Sequence, residues 1–271
     1  MRHRPVIVRA ALAAACIPFA ASSASAAVTQ IQGGGQGGSE PAVWNVLNTL
    51  IGGGSSLTQA DVNAGGIDLG GVLGLDRLDD DIDQFFQDGD TPVSVLGLFF
   101  NNPNIGDPFG GDEHDLYFEN ETLGGPAVKI ADGINVLGPI AVGMGELYSL
   151  TAVRGSVAFD GSQDNANRAI ASSIESENIA SGDTTTDRMV TFAVDISEIP
   201  TLNSLDGGTI DLAGAVGPNS SDFAYIHFFD TGSDADYQDA VYLTIGARAI
   251  PTPGAGALMA MAGLVALRRR R

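Results

Sequence analysis

The sequence predicts a mainly β protein: an antiparallel, β-sandwich-like domain with one or two short N-terminal helices, plus a C-terminal hydrophobic helix. Three observations point there. Asp and Gly are abundant, 25 and 36 residues, and both favour turns over long helices. Short alternating or apolar runs, separated by Gly/Asp/Asn clusters, recur from residue 91 to residue 250. A final apolar run of 14 residues, Gly254 to Leu267, stops at four arginines.

The elements follow in chain order. Residues 1–27 read as a secretory signal peptide: Arg2, Arg4 and Arg9 form a basic start, Ala10 to Ala21 an apolar middle, and Ala24-Ser25-Ala26 a small-residue cleavage site. The mature chain then begins near Ala27 or Val28. The competing reading, an N-terminal membrane anchor, needs a longer run. Residues 28–38 read as a Gly-rich linker, carried by "GGGQGG" at 33–38. The body, residues 39–250, opens with "SEPAVWNVLNTLIGGG". Ser39 suits a helix cap and Pro41 a first turn; Val43, Leu47, Leu50 and Ile51 share one face, and Gly52 ends the helix. Trp44, the only tryptophan, reads as a packing anchor. "LTQADVNAGG" predicts a second short helix.

Strands follow: "TPVSVLGLFF", "DLYFENETL", and "LYSLTAVRGSVAF" as one long strand or a pair. "MVTFAVDIS" alternates, with Val190, Phe192, Val194 and Ile196 facing one way. "FAYIHFFD" and "AVYLTIGARAI" read as a closing hairpin. "NRAIASSIESEN" is ambiguous, a short helix being one reading. No repeat of solenoid period occurs.

Charge narrows the partners. Seven of the 13 basic residues lie at the two ends, so residues 28–250 hold all 33 acidic residues against six basic ones, a balance of −27. Such a body repels phosphate backbones and anionic headgroups, and attracts divalent cations and polycations. Simple solubility of a secreted chain explains the charge equally well. The one cysteine, Cys16, lies in the signal, so the body forms no intramolecular disulfide.

The C-terminal run is too short for a full span. At 1.5 Å per residue, 14 helical residues cover roughly two-thirds of a hydrocarbon core about 30 Å thick. The arginines would stay on the cytoplasmic side. The segment is therefore a provisional anchor. Residues 251–271, with Pro251, Thr252, Pro253 and Gly254 before the apolar run and Arg268, Arg269, Arg270 and Arg271 after it, resemble a PEP-CTERM sorting signal. The family motif is Pro-Glu-Pro, and here Thr252 replaces the Glu. The resemblance implies recognition by an exosortase-like processing enzyme in the inner membrane of a polysaccharide-exporting bacterium.

Two acidic stretches are candidate calcium sites. In "LDRLDDDIDQFFQDGD", Asp79, Asp81 and Asp83 take positions 1, 3 and 5 of an EF-hand-like loop and Asp90 position 12. Gln84 stands where that loop needs Gly. Read as a strand, the same three aspartates share a solvated face. In "HFFDTGSDADYQDAVYL", Asp230, Asp234, Asp236 and Asp239 crowd a turn between two strands, where they repel unless exposed or metal-bound. This second stretch resembles the "D-x-D-Y/F-N-D" hairpin near the end of many PEP-CTERM proteins, with Gln238 in place of Asn. That resemblance implies a β-sandwich whose turn binds Ca2+. The run Arg77-Leu78-Asp79-Asp80-Asp81-Ile82-Asp83-Gln84 is similar to another segment of such proteins.

Enzyme signatures are sparse. The body has two histidines, no cysteine, no Gly-x-Ser-x-Gly elbow, and neither a phosphate-binding loop nor a dinucleotide fingerprint. His227, within an aromatic run, reads as a packed or edge histidine. His114, among Asp112, Glu113 and Asp115, is a weak candidate metal contact. The expectation is a non-enzymatic exported cell-surface or extracellular-matrix protein without a catalytic residue. Its partners are signal peptidase, an exosortase-like enzyme, the inner membrane transiently, and an exopolysaccharide; nucleic acid is not among them. The alternative is a secreted carbohydrate-binding protein or carbohydrate-active enzyme, which needs an inward carboxylate pair or an exposed aromatic platform.

Overall fold

The structure is a computed structural model that describes residues 28–32, 41–78, 84–88, 93–100, 114–132, 135–137, 140, 146–154, 170–174, 178, 187–205, 207–216, 223–231, 237 and 239–250. It is mainly β, with antiparallel pairing and few helices.

The chain enters through α1 (Val43–Ile51), which buries Val43, Val46, Leu47 and Leu50. Its N-cap is Ala42, with no side-chain cap, so the helix starts later than a Ser39 cap requires. Gly52 ends it with φ 66°, a left-handed conformation that suits glycine. Trp44 is partly buried against the same core. The second helix, α2 (Gln59–Ala64), is held by a capping box: Asp61 N donates to Thr58 Oγ1, and Thr58 N donates to Asp61 Oδ2 at 2.8 Å. A 3-10 turn, Leu69–Gly71, leads into the first strand.

The strands are β1 (Leu75–Arg77), β2 (Phe85–Asp88), β3 (Ser94–Phe100), β4 (His114–Asn120), β5 (Val128–Asp132), β6 (Asn135–Val136), β7 (Leu147–Arg154), β8 (Ile170–Ser172), β9 (Met189–Asp195), β10 (Thr201–Asn203), β11 (Thr209–Asp211), β12 (Phe223–Phe229) and β13 (Ala240–Ile250). A short helix, α3 (Leu212–Val216), follows β11. Among the described residues, eleven strands form one sheet in the order β1-β9-β12-β13-β2-β7-β4-β5-β6, with β3 also on β13 and β8 on β7; β10 and β11 make a separate ribbon. Ile170–Ser172 pairs with β7, so this part of the ambiguous "NRAIASSIESEN" segment is strand.

The closing hairpin forms as its sequence predicts: β12 pairs β13 along its length. On its other edge β13 changes partner, pairing β3 through Ile245 and β2 from Ala247. Gly246, at φ 85°, sits at the change and is skipped in the β12 register, a bulge that bends the strand.

Strands β9, β12 and β13 are buried on both faces. Val190, Phe192, Val194, Ile226, Phe228 and Leu243 meet the helices on one face. Met189, Ala193, Tyr225, Phe229 and Tyr242 meet residues of β2, β4 and β7 on the other. The side chains of "MVTFAVDIS" therefore divide as the alternation predicts. Residues 28–32, counted with the linker in sequence, pack on the body, with Ile31 buried in the helix-facing core.

Candidate functional site at the acidic hairpin

The connection between β12 and β13 carries the densest set of sequence-predicted ligands. Asp230 and Asp239 are described; Asp234 and Asp236 lie outside the described residues. The connection is anchored at both ends. Asp230 N donates to Arg188 O at 2.9 Å, and Arg188 Nη1 donates to Asp230 O at 2.9 Å. The same guanidinium nitrogen stands 3.8 Å from Asp230 Oδ1, with both side chains buried. Asp239 closes the far end. Its Oδ2 accepts from Thr231 N at 2.7 Å and Thr231 Oγ1 at 3.0 Å.

Thr231 extends this network to β4. His114 Nε2 lies 2.8 Å from Thr231 Oγ1. With Thr231 Oγ1 donating to Asp239 Oδ2, the hydroxyl has a lone pair left to accept from His114 Nε2 in the tautomer that carries its proton there. Tyr242 OH donates to His114 O at 2.7 Å. His114 is thus a buried structural link between β4 and the hairpin.

Tyr237 supplies the third anchor. Its φ of 58° is unusual for a side chain of this size. The ring is fully buried, and its OH donates to Asp187 O at 2.6 Å. Burial of the ring and this bond offset the backbone cost. Tyr237, the aromatic of the "D-x-D-Y" pattern, is therefore itself anchored in the body.

This geometry sorts the carboxylates. Asp230 is paired with a cation from the protein, and a calcium ion bound there would sit beside Arg188. Of the four aspartates, Asp230 and Asp239 are placed here, each tied into the hairpin's anchoring network. Among the described residues, no group of three or more His, Cys, Asp or Glu side chains could hold a metal ion.

In the first acidic stretch, Asp79, Asp81 and Asp83 also lie outside the described residues. Their flanks are fixed: Leu78 N donates to Thr191 O at 3.0 Å, and Gln84 N to Ser173 O at 2.8 Å. Arg77, which begins the acidic run, is buried. Its guanidinium donates to Val62 O and Thr29 O and lies over Phe192.

His227 is fully buried, as its aromatic surroundings suggest. Nδ1 meets Thr191 Oγ1 at 3.2 Å and Nε2 meets Thr244 Oγ1 at 2.9 Å, one partner from each flanking strand. Phe86 packs edge-on at 5.0 Å between centroids. Burial pushes its pKa down to about 3, so the ring is neutral.

Sequence reasoning missed a second charged cluster. Lys129 on β5 lies 2.6 Å from Asp115 Oδ2 and 3.4 Å from Asp132 Oδ1. Burial raises the pKa of Asp115, against the opposing pull of Lys129. Burial also works against the lysine's charge, but its carboxylate neighbours outweigh it and its pKa is raised. The signal was present only as a bulge that brings Lys129 opposite Tyr117, which no sequence period reveals.

The residues expected to form a sorting signal, Pro251, Thr252, Pro253, Gly254 and Arg268 to Arg271, lie outside the described residues, as does the apolar run between them. Among the described residues, no helix is long and apolar enough to cross a membrane. The exposed large apolar side chains there are all aliphatic, Ile67 and Leu123 the most exposed, and none offers an aromatic platform. Comparison of the chain with protein-family models, curated proteins and solved structures finds no match.

Proposed function

We propose that this chain is an exported cell-surface or extracellular-matrix protein, made with a secretory signal and sorted by a PEP-CTERM-like tail. One observation carries the reading. An acidic body, residues 28–250, lies between a basic-then-apolar start and an apolar run, Gly254 to Leu267, closed by Arg268 to Arg271. Pro251 has no N–H for a strand ladder, which suits a boundary between body and tail.

On this reading the body is a β-sandwich-like acidic domain delivered through the inner membrane. Signal peptidase frees the N-terminus, residues 254–267 hold the precursor, and an exosortase-like enzyme removes the tail. No catalytic residue is assigned. Calcium at Asp230, Asp234, Asp236 and Asp239 would bridge the body to anionic exopolysaccharide, with the anchored hairpin ends as its frame.

Intact-mass measurement of the protein recovered from its native host tests the sorting. The expected product lacks residues before Ala27 or Val28 and lacks Arg268 to Arg271. A product that retains Arg271 overturns it. Calcium has its own test: chelator lowers the melting temperature if the ion is structural, and an unmoved melting curve removes calcium from the reading.

A further inference from the structure

The surface between α2, β1 and the start of β9 holds the chain's own residues 28–32. The segment belongs to no helix or sheet. Asn63 reads Ile31 with both ends of its amide: Oδ1 accepts from Ile31 N at 2.8 Å, and Nδ2 donates to Ile31 O at 3.0 Å. A neighbouring antiparallel strand would supply the same two bonds. Gln59 Nε2 adds a bond to Ile31 O at 2.9 Å, and Arg77 Nη2 donates to Thr29 O at 2.7 Å. Arg77 is held ready for this by Val62 O at 2.6 Å and the Phe192 ring.

Side chains of the segment are read as well, Gln30 Nε2 donating to Asn63 O at 3.4 Å. Ile31 fills the helix-facing core. Thr29 Oγ1 donates to Asp187 Oδ2 at 2.6 Å. Val28 lies over Gly65, where an added Cβ would come within 2.7 Å of Val28 Cγ1. Main-chain bonds with one deep apolar anchor are how protein surfaces recognise extended peptides. Eight residues, 33–40, separate the segment from Pro41 in sequence.

We propose that this groove is a binding site for an extended peptide of the pattern Val-Thr-x-Ile, and that residues 28–32 of a second copy of the chain occupy it by exchange. The inference rests on the groove alone and is independent of the sorting tail. An exchanged segment makes the same bonds as the resident one. The resident competes at an effective concentration on the order of millimolar, set by its short connection. Two strongly acidic bodies also repel each other. Exchange therefore pairs crowded copies and increases with ionic strength.

Two variants of the intact chain test this. Ile31→Asp spoils the segment and leaves the groove; Gln59→Ala with Asn63→Ala spoils the groove and leaves the segment. Each alone is expected to be monomeric by native mass spectrometry, and their mixture to give a one-to-one heterodimer that salt strengthens. A mixture that stays monomeric at millimolar concentration overturns the proposal. Should Ile31→Asp fail to fold, amide exchange on the unaltered chain decides. Ile31 N–H exchanging well before Ile226 N–H on β12 supports a separable segment. Equal rates, set by global unfolding, overturn it.

Discussion

The two faces of the β9–β12–β13 layer are filled in different ways. Toward the helices the residues are apolar, and Phe192 and Phe228 meet edge to face at 5.5 Å. Toward β2 and β7 the same strands carry a polar row, Thr191–His227–Thr244, set among Phe86, Tyr225 and Phe229. The first face is specified by volume and burial, which many side chains satisfy. The second is specified by a hydrogen-bond pattern that only the right donors and acceptors complete.

Breaking the apolar face should cost the most. Phe228→Ala removes a fully buried ring and is expected to destabilise by about 3–5 kcal/mol, read from chemical denaturation. A cost near zero would mean that the helices do not cover this face.

The polar face should show itself in pH dependence. Above the ordinary histidine value of 6.5 the ring is neutral folded or unfolded and contributes no slope. Below it the unfolded chain takes a proton that the folded chain refuses until about pH 3, so stability falls as pH falls through that window. Between pH 6 and pH 4 the loss attributable to His227 approaches about 1.4 kcal/mol per pH unit. His227→Gln should remove that slope. Parallel pH profiles for the two proteins would show that the ring is not held neutral. A smaller effect sharpens the contrast at the helices themselves: Thr58→Ala breaks the capping box of α2 and should cost about 1 kcal/mol, with no change in pH slope near neutrality.

The apolar face was legible and the polar one was not, for a definite reason. Val190, Phe192, Val194 and Ile196 recur every second residue, and a strand turns alternate residues to one side. The four helical positions Val43, Leu47, Leu50 and Ile51 obey the helical period in the same way. His227 showed in the sequence as a packed histidine, but its partners Thr191 and Thr244 are 36 and 17 residues away. The acidic hairpin divides similarly. Its strands and its crowd of aspartates were visible, yet the pairing of Asp230 with Arg188 spans 42 residues. The segment 28–32 looked like linker because Ile31 stands alone beside glycines, and its anchoring residues lie on α2 and β1.

By itself the sequence determined what is local or cumulative: the strand-rich composition, the alternation of β9, the short helix α2, the hairpin of β12 and β13, and the strong negative charge of the body. Tertiary structure alone decided which carboxylates face protein cations, which strand β13 pairs after Gly246, and where Val28 to Gln32 lie. The physical reason is range. Periodicity and capping act within one or two turns of chain, whereas desolvation and hydrogen-bond partnership depend on residues that only folding brings together.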